Sequence, residues 1–136
     1  MWVIAQKRDP SLLSFRMPTI ALIVPILPVR DLARAMDFYR RLGFSAHAWQ
    51  DGDTYAFIQR DGHEVHLSRS SKLTGNASPS AAYFYLAKGT AAALEAGFRA
   101  ADIAILSPLA PRPWKMNEFS ISDPDGNQLH FGEDIS

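Results

Sequence analysis

The chain of 136 residues contains no cysteine, which excludes disulfide bonds, thiolate metal ligands and a cysteine nucleophile. It also lacks an excess of charge of either sign, because 14 basic residues balance 14 acidic ones. Nucleic-acid-binding proteins need a basic surplus, so the composition argues against a nucleic-acid partner. No apolar run is long enough to cross a bilayer and no glycine-rich loop matches a phosphate cradle. We therefore expect a cytoplasmic protein without a membrane partner.

A short sequence phrase occurs twice. Residues 61–67 read Asp-Gly-His-Glu-Val-His-Leu and residues 125–131 read Asp-Gly-Asn-Gln-Leu-His-Phe. In both, an Asp-Gly turn is followed by alternating residues that include a histidine, His66 or His130. The chain is therefore predicted to contain two copies of one structural unit, each ending in a turn and a strand.

The repeat predicts an α+β fold built from two βαβββ modules that form a curved mixed sheet around a cleft. We expect one domain over residues 19–134, with module one at 19–76 and module two at 77–134. Residues 1–18 form an N-terminal extension, and Met17 is an alternative start. A single module buries only one sheet face, so two modules must pair, within the chain and between chains. This favours a homodimer, with strand exchange between subunits left open.

In module one, alternating apolar residues predict a largely buried strand from Ile20 to Leu27. Asp31 is a candidate N-cap for a helix that ends at Gly43. Turn signals then separate three further strands, over residues 44–50, 54–60 and 63–69. Module two is predicted to follow the same order, with a strand at 82–86 and a helix capped by Thr90. Strands at 103–106, 116–121 and 128–131 complete it, with a proline-rich loop over 107–115.

Three motifs carry a family resemblance: Val29-Arg30-Asp31-Leu32, Phe38-Tyr39-Arg40-Arg41-Leu42-Gly43-Phe44 and Asp123-Pro124-Asp125-Gly126-Asn127. Together with the paired modules, they resemble the vicinal oxygen chelate superfamily. That superfamily includes glyoxalases, extradiol dioxygenases, fosfomycin-modifying enzymes and bleomycin-binding proteins. Residues 65–69 and 118–124 are most similar to the corresponding phrases of bleomycin resistance proteins.

The resemblance also bears on metal binding. Metal-dependent relatives place one ligand on the first and last strands of each module, and these positions fall on Val24, His66, Ala82 and His130, with Ala82 uncertain by one residue. Val24 and Ala82 have no donor atoms, and two histidines alone do not complete a catalytic site. The resemblance therefore implies no metal cofactor, and His66 and His130 are only weak candidate ligands.

Aromatic and polar residues on the strands supply candidates for ligand contact. Trp114 lies in a proline-stiffened segment and would be a rigid stacking platform, with the alternative that it only covers a sheet edge. His66 and His130 are expected on the pocket face, with core packing as the alternative for each. The predicted ligand-binding residues are Trp49, His66, Tyr85, Trp114, Glu118 and His130, and no catalytic residue is predicted.

The sequence thus predicts a non-enzymatic protein that binds and sequesters a bleomycin-like or other planar small molecule and confers antibiotic resistance. Two alternatives stay open. One is a divalent-metal-dependent enzyme of the glyoxalase or dioxygenase kind, with ligands from unexpected positions or from a partner chain. The other is a diverged binding protein with a different small ligand. The near-neutral charge speaks against strong electrostatic attraction of a cationic drug.

Overall fold

The structure is a computed structural model that describes residues 17–71 and 80–136. Two four-stranded mixed sheets have the same strand arrangement, and each has one helix. The first module consists of β1 (Ile26–Val29), α1 (Leu32–Arg41), β2 (Ser45–Ala48), β3 (Tyr55–Arg60) and β4 (His63–Arg69). The second consists of β5 (Ala81–Tyr85), α2 (Ala91–Ala100), β6 (Ile105–Pro111), β7 (Met116–Ser122) and β8 (Gln128–Asp134). The predicted α+β fold with two repeated modules is confirmed.

Strand order and register make the repeat visible. The first sheet has the order β1-β4-β3-β2 and the second has β5-β8-β7-β6. In each sheet the first and last strands of the module are parallel neighbours. Ile26 lies opposite His66, and Tyr83 lies opposite His130, so the two histidines occupy equivalent positions. The remaining neighbouring strands are antiparallel.

Alternation along the strands sends one face of each sheet into the core. A single cluster of buried residues runs through both modules and includes Leu27, Ile58, Leu67, Phe119 and Phe131. Both helices contribute to this cluster. Each sheet therefore has one helix-covered face and one face that no helix of residues 17–71 and 80–136 covers. We call the uncovered faces the first and second open faces. Among the described residues, no helix is long and apolar enough to span a membrane.

Four predicted details are wrong or incomplete. The run from Ile20 to Leu27 is not one buried strand, because regular structure begins at Ile26 and Ile20 remains 79% exposed. The segment predicted as strand 44–50 ends at Ala48 and continues as a 3₁₀ turn. Much of the proline-rich segment is not a loop, since β6 extends to Pro111 with two register shifts.

The fourth detail concerns the start of α2. Thr90 is the residue that precedes the helix, but its hydroxyl bonds back to the Ala87 carbonyl instead of capping the helix. The Glu133 carboxylate from β8 accepts hydrogen bonds from the backbone N–H groups of Gly89 (3.0 Å) and Ala91 (2.6 Å). A negative charge there also suits the positive end of the helix dipole. At α1, by contrast, the predicted cap is confirmed, since Asp31 accepts from the Arg34 N–H.

A buried polar network joins the two modules. The Asp123 carboxylate accepts hydrogen bonds from the Tyr39 hydroxyl (2.7 Å) and the Asn127 side-chain amide (2.7 Å). The same carboxylate accepts the backbone N–H groups of Asp125 and Asn127, which fixes the turn between β7 and β8. Asp125 in turn accepts the backbone N–H of Arg30 at 2.9 Å. Helix α1 and the start of the first module are thus tied to the last turn of the second.

Burial raises the pKa values of two groups in this network, Asp123 and Tyr39. Burial raises the pKa of Asp123 above its ordinary value, although its hydrogen bonds act in the opposite direction. Burial and the adjacent Asp123 charge also raise the pKa of Tyr39, so Tyr39 stays a neutral donor. Because the folded protein holds the Asp123 proton to higher pH than the unfolded chain, this group's contribution to stability falls as pH rises through the folded pKa.

We predict that Tyr39→Phe lowers the free energy of unfolding by about 2 kcal/mol near neutral pH, because a buried carboxylate then loses one of its donors. The loss should shrink at acid pH, where Asp123 is protonated in the folded protein. Denaturant unfolding at several pH values measures both effects. Tyr85→Phe is the matched control, since the Tyr85 side chain is 78% exposed, and it should change stability little. A pH-independent loss for Tyr39→Phe would contradict the assignment.

Candidate functional site

The second open face carries a carboxylate among aromatic side chains. The Oε1 atom of Glu118 on β7 accepts a hydrogen bond from the Tyr83 hydroxyl at 2.8 Å and another from the Trp114 indole N–H at 2.9 Å. Glu118 is only 9% exposed. Its second oxygen, Oε2, has no hydrogen-bond partner among the described residues, and no cation there pairs with it. The carboxylate therefore keeps one oxygen available to accept a hydrogen bond from a ligand.

Gly132 makes this arrangement sterically feasible. It lies opposite Glu118 in the β7–β8 register. A Cβ atom at Gly132 would lie 2.1 Å from the Tyr83 hydroxyl oxygen and 3.2 Å from the Glu118 Cβ. Only a residue without a side chain lets the Tyr83 ring cross β8 and reach the carboxylate. Neither Tyr83 nor Gly132 was among the predicted site residues, although a glycine inside a strand is a signal of such close approach.

Two further aromatic side chains extend this face. The His130 ring lies parallel to the Tyr83 ring, with centroids 6.2 Å apart and an interplanar angle of 10°. Tyr85 contacts Tyr83 on the other side, with centroids 5.0 Å apart. Tyr85 is 78% exposed and Trp114 is 60% exposed, so both rings offer surface for stacking. We define the carboxylate cluster as Tyr83, Tyr85, Trp114, Glu118 and His130.

The first open face carries the other two predicted residues, His66 and Trp49. The Nδ1 atom of His66 lies 2.7 Å from the Tyr55 hydroxyl and its Nε2 atom lies 2.5 Å from Glu64 Oε2. The Gln59 amide donates to the other Glu64 oxygen at 2.8 Å. We define the histidine cluster as Tyr55, Gln59, Glu64 and His66. Trp49 lies near it in the 3₁₀ turn after β2 and is half exposed.

The six predicted residues thus lie in two groups on separate sheets. Four belong to the carboxylate cluster, while His66 and Trp49 are on the first open face. Within the described residues, no hydrogen bond or ring contact links the two groups, and neither of the two cavities beside them contains all six. A cleft of about 970 Å³ between the modules is lined by residues of both faces, among them Glu64 and Tyr85.

Of the four positions that the resemblance gives for metal ligands, His66 and His130 lie on β4 and β8, whereas Val24 precedes β1 and is not part of the first sheet. Register and alternation place Ala81 on the open face with Tyr83, whereas Ala82 packs against the core. Neither alanine has a donor atom, and neither does Val24. Both ring nitrogens of His66 already have partners. Among the described residues, no group of three or more His, Asp or Glu side chains is arranged to hold a metal ion.

The strand order of the two sheets defines the class, which is that of proteins built from paired βαβββ modules. A comparison with models of known families identifies the family. The family model for the glyoxalase/bleomycin resistance protein/dioxygenase superfamily matches residues 19–131. The chain therefore belongs to this superfamily. A comparison with curated proteins finds no match.

Three solved structures show how closely the fold agrees. A bleomycin-binding protein complexed with bleomycin has a TM-score of 0.69 at 22% identity, covering 83% of this chain and 98% of its own. A bleomycin resistance determinant encoded on the transposon Tn5 has a TM-score of 0.73 at 21% identity, covering 85% and 98%. A glyoxalase-related enzyme from Clostridium phytofermentans has a TM-score of 0.70 at 21% identity, covering 88% and 99%. At such identities the likeness establishes the fold alone.

We predict that Gly132→Ala destabilises the protein by about 2 kcal/mol, because the new methyl group overlaps the Tyr83 hydroxyl. Adding Tyr83→Phe should restore part of the loss, since the nearest contact is with the hydroxyl oxygen. Thermal unfolding of the single and double variants measures this coupling. Gly97→Ala is the control: its Cβ would meet nothing within 4 Å, and as an exposed helix position it should gain about 1 kcal/mol. Full additivity of the two site substitutions would contradict the contact.

Proposed function

We propose that the chain is a non-enzymatic cytoplasmic binding protein that sequesters a planar organic molecule with a cationic or N–H donor group, of which bleomycin is the model. The observation that carries the proposal is the carboxylate cluster. A largely buried carboxylate with one unpaired oxygen lies beside exposed aromatic rings. This combination suits stacking of a flat ligand and a hydrogen bond to its donor group.

Glu118 has two hydrogen-bond donors, Tyr83 and Trp114, and both bond to Oε1. A cationic ligand would supply a partner at Oε2. A hydrogen bond between a cation and a carboxylate is stronger than one between neutral groups.

Preorganisation supports the role of Trp114. The indole N–H is fixed by Glu118 Oε1, so the exposed ring does not have to be ordered when a ligand stacks on it. Its exposure argues against Trp114 as a mere cover for the sheet edge, because the residue remains 60% exposed. Tyr85 offers a second exposed ring on the same open face.

The comparisons support a binding role without identifying the ligand. The similar structures include a protein complexed with bleomycin. The zero formal net charge of this chain provides little long-range attraction for a cationic drug. Affinity must therefore come from short-range contacts at Glu118 and the rings, which makes the choice of ligand a local property of the carboxylate cluster.

We predict that metal-free and copper-loaded bleomycin bind saturably at one drug per chain. Tryptophan fluorescence and calorimetry measure this binding. Trp114→Ala should abolish measurable binding. Glu118→Gln should weaken it about tenfold or more, because a neutral amide replaces the free carboxylate oxygen. Leu106→Ala is the control, since it removes an exposed apolar side chain of the same sheet outside the cluster. Absence of binding, or equal loss in the control, would reject bleomycin-type sequestration at this site.

We also propose that the protein is a homodimer in which the N-terminal apolar segment, residues 17–26, packs against the second copy. Its exposed side chains include Met17 (73%), Ile20 (79%), Ile23 (81%) and Ile26 (54%). So much contiguous apolar surface is unusual on a monomer and marks an interface. A second copy would also bring another open face near the carboxylate cluster and so enclose the ligand.

The dimer proposal predicts that replacing Ile20 and Ile23 together by Asp yields a folded monomer, because charged side chains would then have to be buried at the interface. Light scattering during gel filtration measures the mass, and circular dichroism checks the fold. Leu106→Asp introduces a charge at another exposed apolar position and should leave the dimer intact. A wild-type monomer at high concentration would contradict the proposal.

A further inference from the structure

The histidine cluster connects a phenol, an imidazole and a carboxylate in one hydrogen-bonded row. Tyr55 and Glu64 bond to opposite nitrogens of the His66 ring, at 2.7 Å and 2.5 Å. Glu64 is held from its other side by Gln59. The side chains of His66 and Glu64 are 17% and 23% exposed, so the row is partly shielded from solvent. Its order of groups is one that can move a proton from end to end.

The sheet register explains why these groups meet. Glu64 and His66 are two residues apart on β4, so they share a face. Gln59 lies directly opposite Glu64 on β3, while Tyr55 lies opposite Ser68 and reaches His66 diagonally. The rings of Tyr55 and Phe57 both contact the His66 ring edge-to-face, with centroids 5.2 Å and 4.9 Å away. The imidazole is therefore held in one orientation.

The protonation state of His66 determines what Tyr55 offers to a ligand. With Glu64 ionised, Nε2 carries a hydrogen that it donates to the carboxylate, and the neutral ring accepts the Tyr55 O–H at Nδ1. The phenol oxygen then presents only lone pairs to a ligand. If His66 gains a proton, both nitrogens donate and the Tyr55 hydroxyl turns its own hydrogen outward. One proton therefore converts Tyr55 from an acceptor into a donor.

A shallow hollow, wide open to solvent, lies beside this row. It has a volume of about 490 Å³ and is lined by Trp49, Thr54, Tyr55, Phe57, Ser68 and Arg69. The aromatic rings suit a flat molecule. Arg69 pairs with the exposed Asp53 at 2.8 Å, so its guanidinium brings N–H donors to the rim while Asp53 offsets its charge. Rings, a hydroxyl and a guanidinium together favour a planar compound that carries an ionised oxygen.

We propose that the histidine cluster is a proton-transfer site that ionises the acidic hydroxyl group of a planar phenol or enol bound in this hollow. The ligand O–H donates its proton to the Tyr55 oxygen, while the Tyr55 proton passes to His66 Nδ1. The ligand O–H bond breaks, the Tyr55 O–H bond is re-formed and the imidazole becomes imidazolium. Glu64 stabilises the new positive charge, and the ligand is left as an oxyanion that accepts a hydrogen bond from Tyr55.

The neighbouring charges agree with this direction of transfer. Hydrogen bonds from His66 and Gln59 hold the pKa of the Glu64 carboxyl below its usual range, so the partner of His66 is an anion near neutral pH. On β2, His47 also acts on Glu64 electrostatically. On β1, the residue paired with His66 is the apolar Ile26. Glu64 also borders the larger cleft, which gives the transferred proton an exit on the far side.

The histidine cluster shares no residue with the carboxylate cluster. The probe that tests it is 4-nitrophenol, because the phenolate form has a distinct visible absorbance. We expect saturable binding in which the apparent pKa of the bound probe falls by about one unit, a tenfold change in its ionisation equilibrium. 4-Nitroanisole, which has no hydroxyl proton, should bind without any comparable spectral change. Bleomycin titration of the same protein reports separately on the other face.

Two variants separate proton transfer from simple binding. His66→Gln can still donate and accept hydrogen bonds but takes up no proton, so it should bind the probe with an unshifted pKa. Tyr55→Phe keeps the ring and should likewise remove the shift, while Leu106→Ala, on the other sheet and outside both clusters, should retain it. Absence of saturable binding, an unshifted probe on the wild-type protein, or an undiminished shift in both His66→Gln and Tyr55→Phe would overturn the proposal.

Discussion

The buried carboxylate of Asp123 is the constraint on which the rest of the structure depends. It shapes the turn between β7 and β8 through two backbone N–H groups and anchors helix α1 through Tyr39. Asn127, fully buried, extends the same network to the Pro28 carbonyl at the end of β1. An unpaired carboxylate at this depth would be strongly destabilising, so the modules must come together in the orientation that satisfies it. The two open faces are held in place by that requirement.

Much of the fold could be predicted from the sequence because its signals are local. The repeated Asp-Gly turns, the Asp31 cap and the glycine at position 43, which has a φ of 92°, mark element ends that depend only on neighbouring residues. The errors arose where tertiary structure overrides local pattern. The alternation around Ile20 has the period of a strand, but the described chain offers it no partner strand. At α2, a carboxylate more than forty residues away, Glu133, replaced the expected Thr90 cap.

The sequence predicted which face most of the candidate residues share, but not which of their side chains bond to one another. Four of the six predicted residues share the second open face, because alternation along a strand assigns faces reliably. Which side chains bond to one another depends on the register between strands, and no local pattern encodes it. Tyr83 was not among the predicted site residues, yet its hydroxyl fixes Glu118, which is possible only because Gly132 leaves the path open. Tyr55 was not predicted either, although it bonds to His66.

The two modules have the same arrangement of strands, but their open faces carry different side chains. The strand register shows at which equivalent positions the residue types differ. His66 and His130 are equivalent, and the position two residues before each holds Glu64 in one module and Gln128 in the other. Tyr55, opposite Ser68, corresponds to Glu118, opposite Gly132. Each face thus combines a histidine at the equivalent position with a tyrosine and a carboxylate at non-equivalent positions. In the first the histidine links the other two, whereas in the second tyrosine and carboxylate bond directly and the histidine stacks. A repeat that only duplicated one site would have kept the same positions, so the two faces are suited to different ligands or to different parts of one ligand.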